Sequence, residues 1–405
     1  MYRLLGGMRV IEASSFVASP TCGMHLAQMG AEVIRFDQIG GGPDFRRWPR
    51  AENGLSLYWE SLNKGKKSIA IDLGSAEGRE LATALITAPG PAGGLFVTNY
   101  PVDGFLAHDR LAALRPDLVT VRIMGRADGG PALDYTVNCA VGYPQITGPE
   151  SLDDEVVNHV LPAWDLLTGA YSAFALLAAE RHRRDTGAGQ EVRVPLADMA
   201  IASVANLGML AEVLDTGADR ARLGNQVYGA FGRDFTTADG KRLMLMAITP
   251  RQWKGMVQAL AIGDAVTAIE ADQGVSFARD EGVRYQHRDR LVPLVEQAVA
   301  KRSMSDLAAA FDPLGVCWGP YQTMREAADD PDLVRANPIF AEVEQPSGAR
   351  YPIPGAPATI PQAERLPPAR APRLGEHTDE ILAEVLGLGS GAVAKLHDGG
   401  IVAAG

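Results

Sequence analysis

At 405 residues, with 46% hydrophobic and 21% charged side chains, the chain is long enough for two cores and far from a disordered or collagen-like composition. A net charge of -11 argues against a nucleic-acid or anionic-membrane surface while leaving room for a local basic pocket that takes a phosphate. Cys22, Cys139 and Cys317 lie far apart without a CxxC pair, and the seven histidines form no HExxH or His-x-His group, so no disulfide framework and no metal site is predicted.

The N-terminus, Met1-Tyr2-Arg3-Leu4-Leu5-Gly6, lacks the apolar stretch and cleavage site of a signal peptide. No apolar run approaches the length of about 18 residues that a membrane span needs. A reduced cytoplasm is the expected setting.

The first third alternates strand and helix. Arg9 to Ile11 reads as a strand, Pro20 to Met29 as a helix with Ser19 as N-cap, and Glu32 to Phe36 as the next strand. Ser68 to Ile71, Leu95 to Val97 and Leu118 to Ile123 follow as strands, with helices from about Ser75 and near Leu111. Such alternation predicts an α/β chain with a mostly parallel, Rossmann-like sheet.

A long helix is expected from Pro162 to Arg184, with Leu166, Leu167, Phe174, Leu177 and Ala178 facing inward, and cationic residues in its last turn. A strand at Glu191 to Val194 and one helix from Leu196 to Val213 come next. After Gly224, the strands Arg233–Thr237 and Lys241–Met246 flank an Asp239-Gly240 hairpin turn and open a smaller α+β domain. Nine prolines between Asn337 and Arg373 predict an extended connection, and Thr378 to Leu388 a final short helix. His377 and His397 are expected to be structural. The predicted division is a large domain of residues 1–215 and 338–405, a small one of 225–330, and linkers at 216–224 and 331–337.

Leu161-Pro162-Ala163-Trp164-Asp165 sets a carboxylate in the first turn of an apolar helix, where free N–H groups and the helix dipole favour the ionised, nucleophilic form. Gly169 and Ser172 would leave a slim face along which a thioester arm can lie. On spacing alone, a plain acidic helix start is the commoner reading. The basic groups Asn63-Lys64-Gly65-Lys66-Lys67 and Arg46-Arg47 suit a phosphate ligand, though such runs are more often solvated turns. The first βα turn, Ala13 to Pro20, has no GxGxxG, so a nicotinamide dehydrogenase is not supported. Gly54-Leu55-Ser56-Leu57-Tyr58 lacks the closing glycine of a nucleophile elbow, which removes serine hydrolases.

Eight pieces in order resemble the class III CoA-transferase family. They are Leu26 to Ile34, Asn63-Lys64 with Lys66 and Ser68, the strand ending at Asn99, Gly148-Pro149, Asp165 with Gly169, Thr186 to Gln190, Asp239-Gly240, and Leu374 to Thr378. The resemblance implies an acyl-CoA substrate, no prosthetic group, and coenzyme A carried as part of the substrate. Asp165 would be the covalent nucleophile. Phe16, Val17 and Ala18 would line the pantetheine channel, while Lys64, Asn99, Tyr100 and the stretch from Arg122 to Arg126 would contact CoA. It also implies a large Rossmann-like domain with a smaller one, in an interlocked homodimer.

The chain departs from the family in three places. Gln38 stands where a basic residue is usual, which leaves Arg46 or Arg47 for the adenine end. Leu133-Asp134 replaces the racemase branch's His-Asp pair, and leucine cannot shuttle a proton. Ala247 to Gln252 replaces a glycine-rich loop over the nucleophile. Ile39 to Asp44, Val156 to Asp165 and Tyr228 to Phe235 resemble a branch that moves CoA between the two carboxyl groups of one mesaconyl unit, with Arg233 or Arg251, each equally readable as a surface arginine, gripping the free carboxylate. Intermolecular transfer between dicarboxylates, or CoA binding without turnover, remain the alternatives.

Overall fold

β-Branched and apolar runs become the strands of one sheet in this computed structural model, which describes residues 1–101, 104–152 and 154–404. Strands β1 (Arg9–Ala13), β2 (Glu32–Gln38), β3 (Lys67–Ile71), β4 (Leu95–Thr98), β5 (Val119–Met124) and β6 (Gln190–Pro195) run parallel in the order 3-2-1-4-5-6. The connections carry α1 (Ala18–Gln28), α2 (Leu57–Asn63), α3 (Ala76–Ile86), α4 (His108–Leu114), α5 (Asp134–Ala140), α6 (Tyr143–Ile146) and α7 (Ala163–Thr186), and β6 leads into α8 (Leu196–Asn206) and α9 (Met209–Thr216). Successive side chains point to opposite faces, so Val10 joins a core with Leu26, Val33, Val97, Val121 and Leu176, while Ile11 joins another with Phe36, Ile69, Leu85 and Phe96.

Several boundaries differ from the sequence reading for local reasons. Helix α1 begins at Ala18, with Val17 as a cap that offers no side-chain acceptor, and Pro20 sits in the first turn, where its missing N–H costs nothing. The helix expected from Leu196 to Val213 is two, bent by 66° at Leu207-Gly208, where Gly208 takes φ 76°. Helix α7 buries Trp164, Thr168, Gly169, Ser172, Ala173, Leu176 and Ala179 rather than the larger residues predicted to face inward. Leu166 and Leu177 are half-buried, Ala178 is exposed, and Leu167 and Phe174 lie 41% and 63% exposed. The cause is close approach, since a Cβ at Gly169 would stand 2.5 Å from the Ala18 carbonyl oxygen and 2.7 Å from Thr21.

The chain forms two compact units, one of 1–141, 159–215 and 331–405, the other of 142–158 and 216–330. Residues 142–158 thus group with the second unit, not with the first as the sequence reading had them. That unit holds an antiparallel sheet of β7 (Phe231–Thr236), β8 (Arg242–Ala247) and β9 (Cys317–Pro320), with Gly240 at φ 74° in the hairpin. Its helices α10 (Pro250–Ala259), α11 (Gly263–Gln273), α12 (Glu281–Gln286), α13 (Arg288–Val299), α14 (Met304–Phe311) and α15 (Met324–Asp329) close a core of Phe231, Leu245, Trp253, Phe277, Leu291 and Phe311.

The proline-rich segment is not wholly extended: β10 (Phe340–Glu344) and β11 (Arg350–Pro354) form a hairpin. Pro352 and Pro354 fall two apart, at positions whose nitrogens face away from the partner strand, so the ladder loses no donor. Helix α16 (Thr378–Leu386) ends at Gly387, φ 67°, earlier than predicted. The sequence reading did not foresee α17 (Ser390–Asp398) or β12 (Val402–Ala403), which adds antiparallel to β3. His377 and His397 serve the fold: His377 Nδ1 accepts from the Ser68 N–H, and His397 Nε2 lies 2.7 Å from Asp379.

Candidate active site

In an open parallel sheet, ligands bind beyond the strand C-termini where the strand order reverses. Here the reversal falls between β1 and β4, and a cavity of about 450 Å³ opens there. Ser15 to Ala18 after β1, Asn99 to Pro101 after β4, Ile123 to Gly125 at the end of β5, Ala132-Leu133, Asp165 and Leu196 line it. The cavity therefore brings together Phe16, Val17, Ala18, Asn99, Tyr100 and Asp165 from the residues singled out in the sequence.

Hydrogen bonds set the shape of this wall. Asn99 accepts from the Ser15 N–H at 2.9 Å and donates to the Ser15 carbonyl at 2.8 Å, locking two βα turns together. Phe16 adopts φ 66°, unusual for a side-chain-bearing residue, and its N–H donates to Asp44 at 3.2 Å. Asp44 is fixed in turn by Arg35 at 3.3 Å, inside a buried cluster that also holds Asp37, Glu12 and Lys66. Burial pushes the Tyr100 hydroxyl well above its ordinary value.

Asp165 lies in the first turn of α7, where the capping residue is Pro162 and no side chain of the cap accepts a hydrogen bond. Asp134 supplies that acceptor instead: its Oδ2 takes the N–H groups of Trp164 at 2.7 Å and Asp165 at 3.0 Å. Its Oδ1 lies 2.6 Å from His159 Nε2. The free N–H groups expected to favour ionised Asp165 are therefore partly spoken for, by a second carboxylate. Burial first, then the charge of Asp134, push Asp165 up to about 7, with Arg47 opposing. The slim face expected at Gly169 and Ser172 is also unavailable, because α1 packs directly onto it.

Other residues singled out in the sequence stand apart from the cavity lining. Lys64 caps the C-terminus of α2, and burial, followed by the charge of Lys66, lowers it to about 8. Arg122 leans on Glu191 at 3.9 Å, Arg126 on Asp128 at 3.1 Å, and Arg46 is exposed. Arg233 lies on β7 of the second unit, 3.9 Å from Asp234, and Arg251 on α10.

Sequence reasoning missed the structural part of Asp134 and His159, and the placement of Arg47 and Tyr58. A signal for Asp134 existed, since a helix start capped by proline must find its acceptor elsewhere. Among the described residues no cluster of three His, Cys, Asp or Glu could hold a metal ion.

The comparisons with known proteins agree on one family. The chain is 52% identical over its full length to 2-methylfumaryl-CoA isomerase of Chloroflexus aurantiacus, of which it covers 98%. It is 30% identical to the succinate–glutarate CoA-transferase of Agrobacterium fabrum, over 94% of this chain and 95% of that one. A CaiB/BaiF family protein from Brucella suis superposes with a TM-score of 0.76 at 26% identity, covering 95% of this chain and all of that one. With the family profile also matching residues 5–378, the chain belongs to CoA-transferase family III.

Proposed function

We propose that this enzyme isomerises 2-methylfumaryl-CoA, moving CoA between the C1 and C4 carboxyl groups of one mesaconyl unit through Asp165. Full-length 52% identity to an isomerase of that name is the observation that carries the reading. Among the described residues that line the switch-point cavity, Asp165 is the one carboxylate, and it supplies the nucleophile.

Ionised Asp165 attacks the C1 thioester carbonyl, the C–S bond breaks, and CoA leaves as thiolate beside an acyl-aspartyl anhydride. The thiolate then attacks the aspartyl carbonyl, releasing the C1 carboxylate and leaving CoA on Asp165 as a thioester. With the acid turned end for end, its C4 carboxylate attacks that thioester and expels the thiolate. Attack of the thiolate at C4 restores the Asp165 carboxylate. No water, net proton or prosthetic group enters the balance. Holding thiolate and anhydride in one cavity supplies an effective molarity on the order of 10⁵ M or more.

Phe16, Val17, Ala18, Asn99 and Tyr100 form the wall along which the pantetheine arm lies. Arg46, Lys64 and Arg122 remain outside that wall and are assigned to the nucleotide end of CoA. The protein works in the cytoplasm as a homodimer, and the exposed Leu167, Tyr171 and Phe174 on α7 supply apolar surface for a second copy.

Intermolecular transfer is the second reading, favoured by the 30% identity to a succinate–glutarate CoA-transferase. Mesaconyl-C1-CoA incubated with excess isotopically labelled free mesaconate separates the two. Conversion to the C4 thioester without label supports the isomerase. Conversion with full labelling makes it an intermolecular transferase, and no conversion with any acid rejects both.

A further inference from the structure

The reaction proposed above leaves at least one carboxylate of the acyl unit free at every stage, in a cavity whose described lining holds Asp165 but no lysine, arginine or histidine. An anion placed beside a carboxylate needs a cation at the rim. Among the nearby arginines, Arg35 is buried against Asp37 and Asp44, Arg122 leans on Glu191, and Arg126 on Asp128. Arg47 differs from all three. Its guanidinium carbon lies 5.3 Å from the centre of the Phe16 ring and 5.2 Å from that of Tyr58, and Phe16 is itself part of the cavity wall. Among the described residues its guanidinium has neither a carboxylate partner nor a hydrogen-bond acceptor.

Ring contacts of this kind use none of a guanidinium's N–H donors, so its fork remains uncommitted and can take a carboxylate. The backbone around it is anchored. The Arg47 N–H donates to the Asp44 carbonyl at 3.1 Å, Ser56 Oγ donates to the Arg47 carbonyl at 2.6 Å, and Asp44 Oδ2 accepts the Phe16 N–H. The loop that carries Arg47 and the turn that lines the cavity are therefore tied through one residue, Asp44. The charge of Arg47 is also felt at Asp165, where it opposes the upward push of burial.

We propose that Arg47 grips the unreacted carboxylate of the bound dicarboxylyl group and makes the site selective for dicarboxylyl over monocarboxylyl thioesters. The inference rests on the dicarboxylyl-CoA reading of the site. It replaces the sequence-based assignment of that grip to Arg233 or Arg251, and gives Arg47 a place at the acyl end instead of the adenine end.

The test compares wild type, Arg47→Met and Arg47→Lys in forming the enzyme–CoA thioester. The substrates are mesaconyl-C1-CoA and 2-methylbut-2-enoyl-CoA, which carries a methyl group in place of the free carboxylate. Wild type is expected to prefer the dicarboxylyl substrate by about 30-fold or more, as charge-assisted hydrogen bonds allow. Arg47→Met should lose that preference, and Arg47→Lys should keep part of it because a point charge remains without the bidentate fork. Unchanged preference in Arg47→Met, or equal losses on both substrates, overturns the inference alone. A wild type that does not turn over mesaconyl-C1-CoA removes the functional reading, and this inference with it.

Discussion

Asp165, the proposed nucleophile, is shifted toward its protonated form. Burial and the neighbouring Asp134 push it up to about 7, so part of it is protonated at neutral pH. The rate of enzyme–CoA thioester formation should therefore rise with pH through about 7 and level off above it. In Asp134→Asn the repelling charge is gone, and that limb should move to lower pH, while loss of the strong acceptor at the start of α7 costs about 1 kcal/mol of stability. A pH–rate profile of the two proteins, each with a melting curve, checks both expectations. Asp165→Asn should abolish turnover yet melt higher than wild type at pH 8. The sign follows from linkage: a folded-state value raised above the unfolded one disfavours the ionised fold, a penalty absent below about 4 and complete above about 7. Allowing for partial exposure, its removal is worth about 1–2 kcal/mol. The helix start that carries Asp165 was legible because its signals are local, but the resemblance to class III CoA-transferases, not spacing, singled out the residue. The proline cap signalled that an acceptor was needed but not that Asp134 supplies it, because the contact spans 31 positions and links a backbone N–H to a side chain that no period marks.

At the level of elements, the contact between α1 and α7 sets the position of Asp165, the proposed nucleophile. Gly169 admits the Ala18 carbonyl and Thr21 at distances that no Cβ tolerates. Gly169→Ala should cost about 1–3 kcal/mol by overpacking and should lower the rate by displacing the first turn of α7, which denaturation and kinetics on the same protein will measure. The alternation of strands and helices was legible because β-branched runs and helix periods are local signals. The inward face of α7 was not. Hydrophobicity picked out Leu167 and Phe174, whereas close helix approach selected the small residues on the opposite side. The hairpin β10–β11 was hidden for a similar reason, since proline density reads as extended chain until the register shows which nitrogens face outward.

At the scale of the whole molecule, the strand order 3-2-1-4-5-6 puts the turns after β1 and β4 side by side, and the cavity follows from that order. Strand order lies beyond periodicity, so the sequence indicated the sheet but not its switch point. The buried cluster around Arg35 ties β1, β2 and the loop at Asp44 to that point. Arg35→Met should leave Asp37 and Asp44 without their cation, while Glu12 keeps Lys66, costing about 3–5 kcal/mol and freeing Phe16 from its strained conformation. Urea denaturation of the variant, compared with wild type, measures that loss.

The account turns on a covalent bond between CoA and Asp165. Enzyme mixed with mesaconyl-C1-CoA and quenched within one turnover should, on peptide mass mapping, carry CoA on the peptide containing Asp165, in an adduct that hydroxylamine removes. Turnover without that adduct, or CoA attached to a different residue, contradicts the account.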